Sequence, residues 1–202
     1  METGRYFLLA FVWLLFSLSH SLLAAETVKK YFRQKLPAYF PYYRLCYSVL
    51  AALLLTFVLY YNFSITGDLL WKVTIFEKII AALFFFFGLV IMLYCIRKYF
   101  FEMSGISVFF KTIPDENLRI NGLNRFVRHP LYSGTILFVA GCVFWYPGLA
   151  NLVSFFCITC YILIGIKYEE KKLIRFFGND YKNYASKVPM IVPEIFFKKK
   201  KQ

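Results

Sequence analysis

Five apolar stretches limit what this chain can fold into. They cover residues 6–25, 42–61, 76–96, 131–146 and 149–166. A helix needs about 20 mostly apolar residues to cross a bilayer, and somewhat fewer where the bilayer thins or neighbouring helices help. The sequence therefore predicts an all-α, polytopic membrane protein, with about five transmembrane helices in a single membrane domain (1–202).

The fourth and fifth stretches are separated only by "YPGLAN". Pro147 and Gly148 are residues typical of a tight turn. A connection this short favours an antiparallel helical hairpin. It would bring the start of the fourth helix close to the end of the fifth.

Basic residues predict the orientation of the helices. Of the 24 Lys and Arg residues, all but Arg5, Lys72 and Lys78 lie after the first stretch, between the third and fourth, or after the fifth. Cytoplasmic loops carry such an excess, so we expect the N-terminus outside and the C-terminus in the cytoplasm. The positive charge alternates with apolar stretches, which argues against nucleic acid as a partner. A multi-pass protein of a bacterial inner membrane fits these observations.

The segment after the fifth stretch predicts a further helix. Leu173, Phe177, Tyr181 and Tyr184 form one apolar stripe at helical spacing, and we expect Gly178 to bend or break this helix. Such a cytoplasmic amphipathic helix would lie on the bundle or the membrane surface. The chain thus divides into three N-terminal transmembrane helices (1–96), a catalytic part (97–193) and a basic tail (194–202) suited to anionic lipid.

Cysteine spacing does not indicate a metal site. Cys157 and Cys160 form a C-x-x-C pair, but it lies inside the apolar run "FFCITCYIL" without a neighbouring His or carboxylate. Packing within a helix is the expected role. We expect no metal.

Two polar residues stand out within the first stretch, near its inner end. His20 and Ser21 lie in "LSHSLLA". Ionisable groups at this depth usually face the interior of a bundle. His20 is either a contact for substrate or cofactor, or a histidine that bonds to a neighbouring helix.

The entry to the fourth helix combines charge with a helix start. Pro130 suits the first turn of a helix, whose free N–H groups and dipole attract an anion. Arg128 adds a bidentate donor. His129 and Tyr132 are three residues apart and can reach the same face. The alternative is that Arg128 and Arg125 contact lipid phosphates and that Tyr132 belongs to the interfacial aromatic belt.

Glu169 and Glu170 follow the fifth stretch directly. Neighbouring helical residues point about 100° apart, so the two carboxylates cannot serve the same purpose. The hairpin brings them near Arg128, where a guanidinium and a carboxylate would flank one pocket for a small zwitterion. A structural Arg–Glu pair that closes the hairpin is the alternative.

Several of these segments together resemble a known superfamily. "VRHPLYSG", "YEEKKL" and "FGNDYKNY…VPMIVP" are similar, in this order and spacing, to the membrane methyltransferases. That superfamily includes isoprenylcysteine carboxyl methyltransferases, phospholipid N-methyltransferases and methanethiol S-methyltransferases. "TCYILIGIKYEEKKL" and "HSLLAAETVKKYF" look most like the methanethiol S-methyltransferase branch, and the latter also resembles denitrification-associated relatives.

This resemblance implies S-adenosylmethionine (SAM) as the cofactor and a small thiol or lipophilic methyl acceptor as the partner. The positions that match the superfamily's cofactor pocket are Gly122, Leu123, Arg128, His129, Pro130, Tyr132, Glu169, Glu170, Tyr181 and Tyr184. The candidate catalytic residues are Arg128, Glu169, Glu170 and His20. A thiol acceptor must lose its proton, which His20, His129 or a glutamate could accept.

Two other functions compete with methyl transfer. Sterol reductases, which use NADPH, share a related C-terminal motif but have more spans. A non-catalytic membrane accessory protein is the other alternative. Thiol S-methylation is favoured over isoprenylcysteine carboxyl or phospholipid methylation.

Overall fold

The computed structural model describes residues 2–104 and 118–194 and contains only helices, turns and one isolated bridge over these ranges. The α-helices are α1 (Glu2–Ala24), α2 (Glu26–Lys35), α3 (Tyr43–Ser64), α4 (Ile75–Ser104), α5 (Pro130–Trp145), α6 (Leu149–Phe177) and α7 (Asn179–Ala185). Two 3₁₀ helices lie at Phe40–Tyr42 and Gly122–Arg125. The predicted all-α class is confirmed. Residues 195–202, which hold nearly all of the predicted basic tail, lie outside the described ranges.

Four helical segments are long and apolar enough to cross a membrane. They are Thr3–Ala24, Phe40–Ser64, Ile75–Lys98 and Leu149–Phe177. The fifth predicted span is α5, whose 16 residues make a helix of about 24 Å, shorter than the hydrocarbon core. Large side chains such as Phe7, Phe57 and Phe86 point outward, as they do in a protein surrounded by lipid. The chain is a multi-pass membrane protein with four to five spanning helices.

Glycines allow α4 and α5 to pack against each other at short range. A Cβ atom at Gly88 would lie 2.6 Å from the backbone nitrogen of Phe138 and 2.8 Å from the carbonyl oxygen of Gly134. Gly141 of α5 approaches the backbone of α4 in the same way. Residues without large side chains let the two backbones approach this closely. The closeness matters because lipid provides no hydrophobic force between helices, so van der Waals contacts must hold them together.

We expect Gly88→Ala to lower the free energy of unfolding by about 2–3 kcal/mol. The added methyl group meets backbone atoms, which can give way only if α4 and α5 separate. Gly165→Ala is the matched control, because a Cβ atom there meets nothing within 4 Å and alanine favours a helix. Unfolding in detergent would measure both. Equal effects of the two substitutions would contradict this account of α4–α5 packing.

A second group of helices, α1, α3 and α6, packs around Leu9, Trp13 and Val58. Three hydrogen bonds join these helices inside the group. Trp13 Nε1 donates to Ser154 Oγ (2.6 Å), Ser154 Oγ donates to Asn62 Oδ1 (2.8 Å), and Asn62 Nδ2 donates to Asn151 Oδ1 (3.0 Å). Polar side chains in lipid join helices in this way because an unpaired group would be costly.

Two contacts fix the relative direction of α1 and α3. The Tyr43 hydroxyl donates to the carbonyl of Leu23 (2.7 Å), and the Tyr61 hydroxyl donates to the carbonyl of Arg5 (3.4 Å). The two helices are therefore antiparallel. One end of the bundle is called the basic end below. It carries the end of α1, all of α2, the start of α3, the start of α5 and the end of α6.

The C-terminal part differs in extent from its prediction. Helix α6 continues past the apolar stretch to Phe177, so half of the expected amphipathic helix belongs to α6. Gly178 then ends the helix with φ +57°, as expected of a glycine at this break. The separate helix α7 has only 7 residues, and it buries Tyr181 against the bundle. The stripe predicted from the spacing is thus present, but it is shared between two helices.

Candidate functional site

Arg128 connects three parts of the chain at the basic end. Its Nε atom donates to Oε1 of Glu170 at 2.7 Å, which joins the start of α5 to the end of α6. Its Nη1 atom donates to the carbonyl oxygens of Ala185 (2.8 Å) and Val188 (2.6 Å). The third nitrogen, Nη2, has no hydrogen-bond partner among the described residues. The predicted hairpin thus does bring Arg128 and Glu170 together.

Glu170 accepts from three different side chains. Besides Arg128, its Oε1 atom lies 3.2 Å from His129 Nε2, and the Tyr181 hydroxyl donates to it at 3.2 Å. The pKa of Tyr181 is raised, first by burial and then by the Glu170 carboxylate, so its hydroxyl stays protonated and donates. Glu170 is therefore the acceptor around which this cluster is organised.

Glu169 lies differently from Glu170, as the helical geometry predicts. Its side chain is 45% exposed, against 22% for Glu170. Its Oε2 atom lies 3.7 Å from Nδ1 of His129, and the Tyr132 hydroxyl interacts with it electrostatically. Glu169 thus keeps more capacity to accept a hydrogen bond from a ligand.

His129 and Tyr132 form one wall of this cluster. Their rings are stacked with centroids 5.7 Å apart at 27°, so the two side chains share a face as predicted. His129 is buried, and Pro130 behind it occupies the first turn of α5. The first N–H groups of that turn have no partner within the helix, which makes them donors for an anion.

A short segment after α7, which we call the C-terminal strap (residues 186–191), closes over the start of α5. The backbone N–H of Arg128 donates to the carbonyl of Pro189 (2.9 Å). The Ser133 hydroxyl donates to the carbonyl of Ile191 (2.7 Å). The strap therefore covers the start of α5. The sequence did not predict this contact, because nothing in the strap's composition indicates backbone pairing with α5.

Gly122 lies beside the cluster in a conformation that favours glycine. Its φ is +69°, and a Cβ atom there would lie 2.9 Å from the Tyr94 hydroxyl and 3.6 Å from Lys98 Nζ. Leu123 follows in the same 3₁₀ helix, and its carbonyl accepts from Phe126. These two candidate residues reach the basic end, where α4 also ends.

Tyr181 and Tyr184 both face the cluster from α7. Tyr181 is 2% exposed, and the Tyr184 hydroxyl donates to the carbonyl of Asn124 at 2.7 Å. Asn124 in turn donates to the carbonyl of Arg128 (3.2 Å). Helix α7 is therefore fixed on both the Arg128 side and the Glu170 side.

His20 does not contact this cluster directly. The hydroxyl of Tyr47 lies 2.8 Å from its Nε2 atom and 2.9 Å from its Nδ1 atom. The neighbouring Ser21 hydroxyl donates to the Tyr161 hydroxyl at 3.3 Å. His20 thus bonds to a neighbouring helix, and a role towards substrate or cofactor stays the other alternative. Tyr47 and Tyr161 were not singled out in the sequence, where nothing distinguishes them among 16 tyrosines.

The arrangement at the basic end can hold a small zwitterion. Nη2 of Arg128 and the first turn of α5 offer donors to a carboxylate, and Glu169 offers an acceptor to an ammonium group. Across residues 2–104 and 118–194, no three His, Cys, Asp or Glu side chains are grouped to hold a metal ion.

Comparisons with known proteins give consistent results. Residues 8–195 match the protein family described as NnrU protein. A methanethiol S-methyltransferase from Pseudomonas deceptionensis is 29% identical over 192 residues, which cover 90% of this chain and 70% of that protein. Another, from a second Pseudomonas species, is 30% identical over 190 residues, covering 89% and 70% of the two chains.

A shorter match reaches a different methyltransferase. The protein-S-isoprenylcysteine O-methyltransferase B of Arabidopsis thaliana is 33% identical over 73 residues, or 36% of this chain and 37% of that protein. No solved structure matches the chain.

Proposed function

This chain belongs to the NnrU protein family, and from this membership and the cluster at the basic end we propose that it transfers a methyl group from SAM to a small thiol. Its resemblance to the membrane methyltransferases is confirmed by the family match and by relatives of two methyltransferase kinds. The chain is an enzyme with methyltransferase activity. The donor, the acceptor and the residue roles below are our proposals.

One observation carries the donor assignment. Arg128 and Glu169 both keep unused hydrogen-bonding capacity where the start of α5 meets the end of α6. A group that carries both a carboxylate and an ammonium, as SAM does, matches this pair of charges. Nη2 of Arg128 and the first turn of α5 would hold the carboxylate, and Glu169 would hold the ammonium.

The remaining candidate residues suit supporting roles. The stacked rings of His129 and Tyr132 present a face to an adenine ring or to a sulfonium, which aromatic rings attract. The backbone at Gly122 and Leu123 can approach a ligand closely because Gly122 lacks a side chain. Tyr181, Tyr184 and the C-terminal strap cover the cluster and exclude water.

SAM supplies an activated methyl group when it is bound. Methyl transfer is a direct displacement, in which the acceptor attacks as the sulfonium leaves, so alignment and exclusion of water can provide much of the rate. Glu170 would fix the position of Arg128, and the rings of His129 and Tyr132 would line the path of the acceptor.

A small thiol is the favoured acceptor. The two Pseudomonas relatives, which match about 90% of this chain, are named for methanethiol, whereas the isoprenylcysteine enzyme is similar over only 36% of it. An isoprenylcysteine carboxylate or a phospholipid amine is the alternative. The relatives' names give no support to an NADPH-dependent reductase or to a non-catalytic accessory protein.

The basic end is proposed to face the cytoplasm of a bacterial cell. Lys29, Lys172 and Arg125 lie at this end, while Arg5 and Lys78 lie at the other. Positive charge near the ends of short loops marks the cytoplasmic side. The donor site would then take SAM from the cytoplasm, where it is made, and the N-terminus would lie outside.

One experiment tests activity and orientation together. SAM with a labelled methyl group does not cross membranes, so it is added outside sealed vesicles together with a small alkanethiol. We expect inverted vesicles to produce the labelled thioether and right-side-out vesicles to produce it only after permeabilisation. A phospholipid and an isoprenylcysteine analogue serve as competing acceptors.

Each result has a defined meaning. Binding of SAM to the purified protein without any labelled thioether, and with label in one of the competing acceptors, would replace the thiol assignment. A protein that binds NADPH and not SAM would overturn the donor assignment. Activity in intact right-side-out vesicles would contradict the orientation.

A further inference from the structure

A second polar cluster lies apart from the Arg128–Glu170 contacts, between α1, α3 and α6. Its members are His20, Ser21, Tyr47 and Tyr161. His20 is four residues from the end of α1, and Tyr47 is four residues after the start of α3. The cluster therefore lies just inside the basic end of the membrane-spanning bundle. Four polar side chains at this depth need a reason to be there, because lipid gives them no partners.

Helix α6 relates this cluster to the donor-binding residues. The Tyr161 ring packs edge-on against the His20 ring, with centroids 6.0 Å apart, and Tyr132 stacks on His129 beside Glu169. Tyr161 precedes Glu169 by eight residues on α6, which places it about 12 Å further into the bundle. Tyr161 is thus the member of the cluster that shares a helix with Glu169.

We propose that His20 accepts the proton of the thiol acceptor, and that Tyr47 positions His20 for this task. This inference rests on the proposed function and decides among the bases that the sequence left open. The acceptor class that needs such a base is a small alkanethiol, because most of it is protonated at neutral pH and the thiolate is the nucleophile.

The other candidate bases are engaged elsewhere. His129 is buried, with Nε2 at 3.2 Å from Glu170 and Nδ1 at 3.7 Å from Glu169. Glu170 already accepts from three side chains. His20, by contrast, contacts one hydroxyl, which can serve as donor or acceptor as the ring requires. It is the histidine whose ring nitrogens are not tied to a carboxylate.

The S–H bond breaks, its proton goes to a ring nitrogen of His20, and the sulfur lone pair forms the new S–CH₃ bond while the sulfonium's C–S bond breaks. The leaving product is a neutral thioether, so the positive charge of the sulfonium ends up as the proton on His20.

Acceptors of different acidity provide the test. An arenethiol is largely ionised at neutral pH and needs no base, whereas an alkanethiol does. We expect His20→Gln to lower kcat/KM about 100-fold for a small alkanethiol and only a few-fold for an arenethiol. Added imidazole should partly restore the alkanethiol rate of His20→Ala. Affinity for SAM, measured by calorimetry, should stay unchanged.

Conservative variants separate this role from a structural one. Tyr47→Phe keeps the ring and removes only the hydroxyl at His20, so it should show the same thiol selectivity at a smaller amplitude. Tyr43→Phe is the matched control, because this tyrosine lies one turn away on α3 and donates to the carbonyl of Leu23 instead. We expect it to show no thiol selectivity.

Two results would be read differently. Equal loss for both thiols in His20→Gln, or SAM affinity that falls with the rate, would overturn His20 as the base while leaving methyl transfer intact. Failure of the unsubstituted protein to methylate either thiol would instead sink the proposed function itself.

Discussion

Arg128→Ala is expected to abolish SAM binding and to loosen the basic end of the protein. The substitution removes three hydrogen bonds at once, one to Glu170 and two to the carbonyls of Ala185 and Val188. It also leaves the partly buried Glu170 without its cation, which is more costly than the loss of the attraction itself. We expect the free energy of unfolding to fall by about 3 kcal/mol and methylation to become undetectable.

Arg128→Lys separates charge from geometry. A lysine keeps the positive charge near Glu170, but its single ammonium cannot replace the planar group that reaches Glu170 and two carbonyls from different nitrogens. We expect stability to recover in part and SAM affinity to stay at least 10-fold weaker than in the unsubstituted protein. Calorimetry with SAM and thermal unfolding in detergent measure the two effects separately.

Arg125→Ala is the control for this pair. Arg125 is three residues away in the preceding 3₁₀ helix and is exposed, so its removal changes the net charge equally without removing any of the three Arg128 contacts. We expect near-normal SAM binding. If Arg128→Ala also bound SAM normally, the donor site would have to lie elsewhere, and Arg128 would be only the structural pair considered as the alternative.

The spans and the meeting of α5 with α6 could be predicted because they follow from local rules. Apolar length predicts a spanning helix, and the Pro147–Gly148 turn allows only an antiparallel return. Once these are given, Arg128 and Glu170 must lie at the same end. The structure adds the distance of 2.7 Å between Arg128 Nε and Glu170 Oε1, which the sequence does not give, but the arrangement is the predicted one.

Contacts between distant segments could not be predicted in the same way. The C-terminal strap binds Arg128 and Ser133 through its backbone carbonyl oxygens. Every residue has such an oxygen, so no residue type in the sequence predicts this contact. The continuation of α6 to Phe177 was missed for another reason. A helix that leaves the membrane changes its composition but not its geometry, so the apolar stretch ended before the helix did.

His20 shows what its position within a transmembrane helix can and cannot predict. Its position predicted an inward-facing side chain, and the helix geometry bears this out through the contact with Tyr47. Which helix it would meet depended on how α1 and α3 are rotated about their axes. That rotation is set by packing around Trp13 and Val58, not by any motif near His20.

Glu170→Gln and Glu169→Gln are expected to have opposite profiles. Glu170 holds Arg128, His129 and Tyr181 together, so its substitution should impair folding and function together. Glutamine keeps the size of the side chain but lacks the negative charge. Its amide N–H groups are donors and cannot accept from Arg128, His129 or Tyr181. We expect a loss of about 2–3 kcal/mol in unfolding free energy and more than a 100-fold loss in kcat/KM.

Glu169→Gln should spare the fold. Its side chain is 45% exposed, its contact to His129 is long, and its interaction with Tyr132 lies at the exposed edge of the cluster, so it contributes little to stability. If Glu169 binds the ammonium of SAM, however, the dissociation constant for SAM should rise about 10- to 100-fold. S-adenosylhomocysteine carries the same ammonium, so its affinity should fall by the same factor in Glu169→Gln. Decarboxylated SAM also keeps the ammonium and should lose the same factor in Glu169→Gln, but its affinity should hardly change in Arg128→Lys.

The two analogues make the assignment of charges decisive. Decarboxylated SAM lacks the carboxylate and therefore tests the contact with Arg128, while both analogues keep the ammonium and therefore test the contact with Glu169. A double-mutant cycle between protein and ligand then matches each ligand group to one side chain. A coupling between the carboxylate and Glu169, or none between the carboxylate and Arg128, would reverse the proposed orientation of SAM. With the coupling as proposed, the amino-acid part of SAM lies at the basic end and its reactive methyl group is free to point inward. That direction leads towards Tyr132 and the His20 cluster, where the thiol would lose its proton.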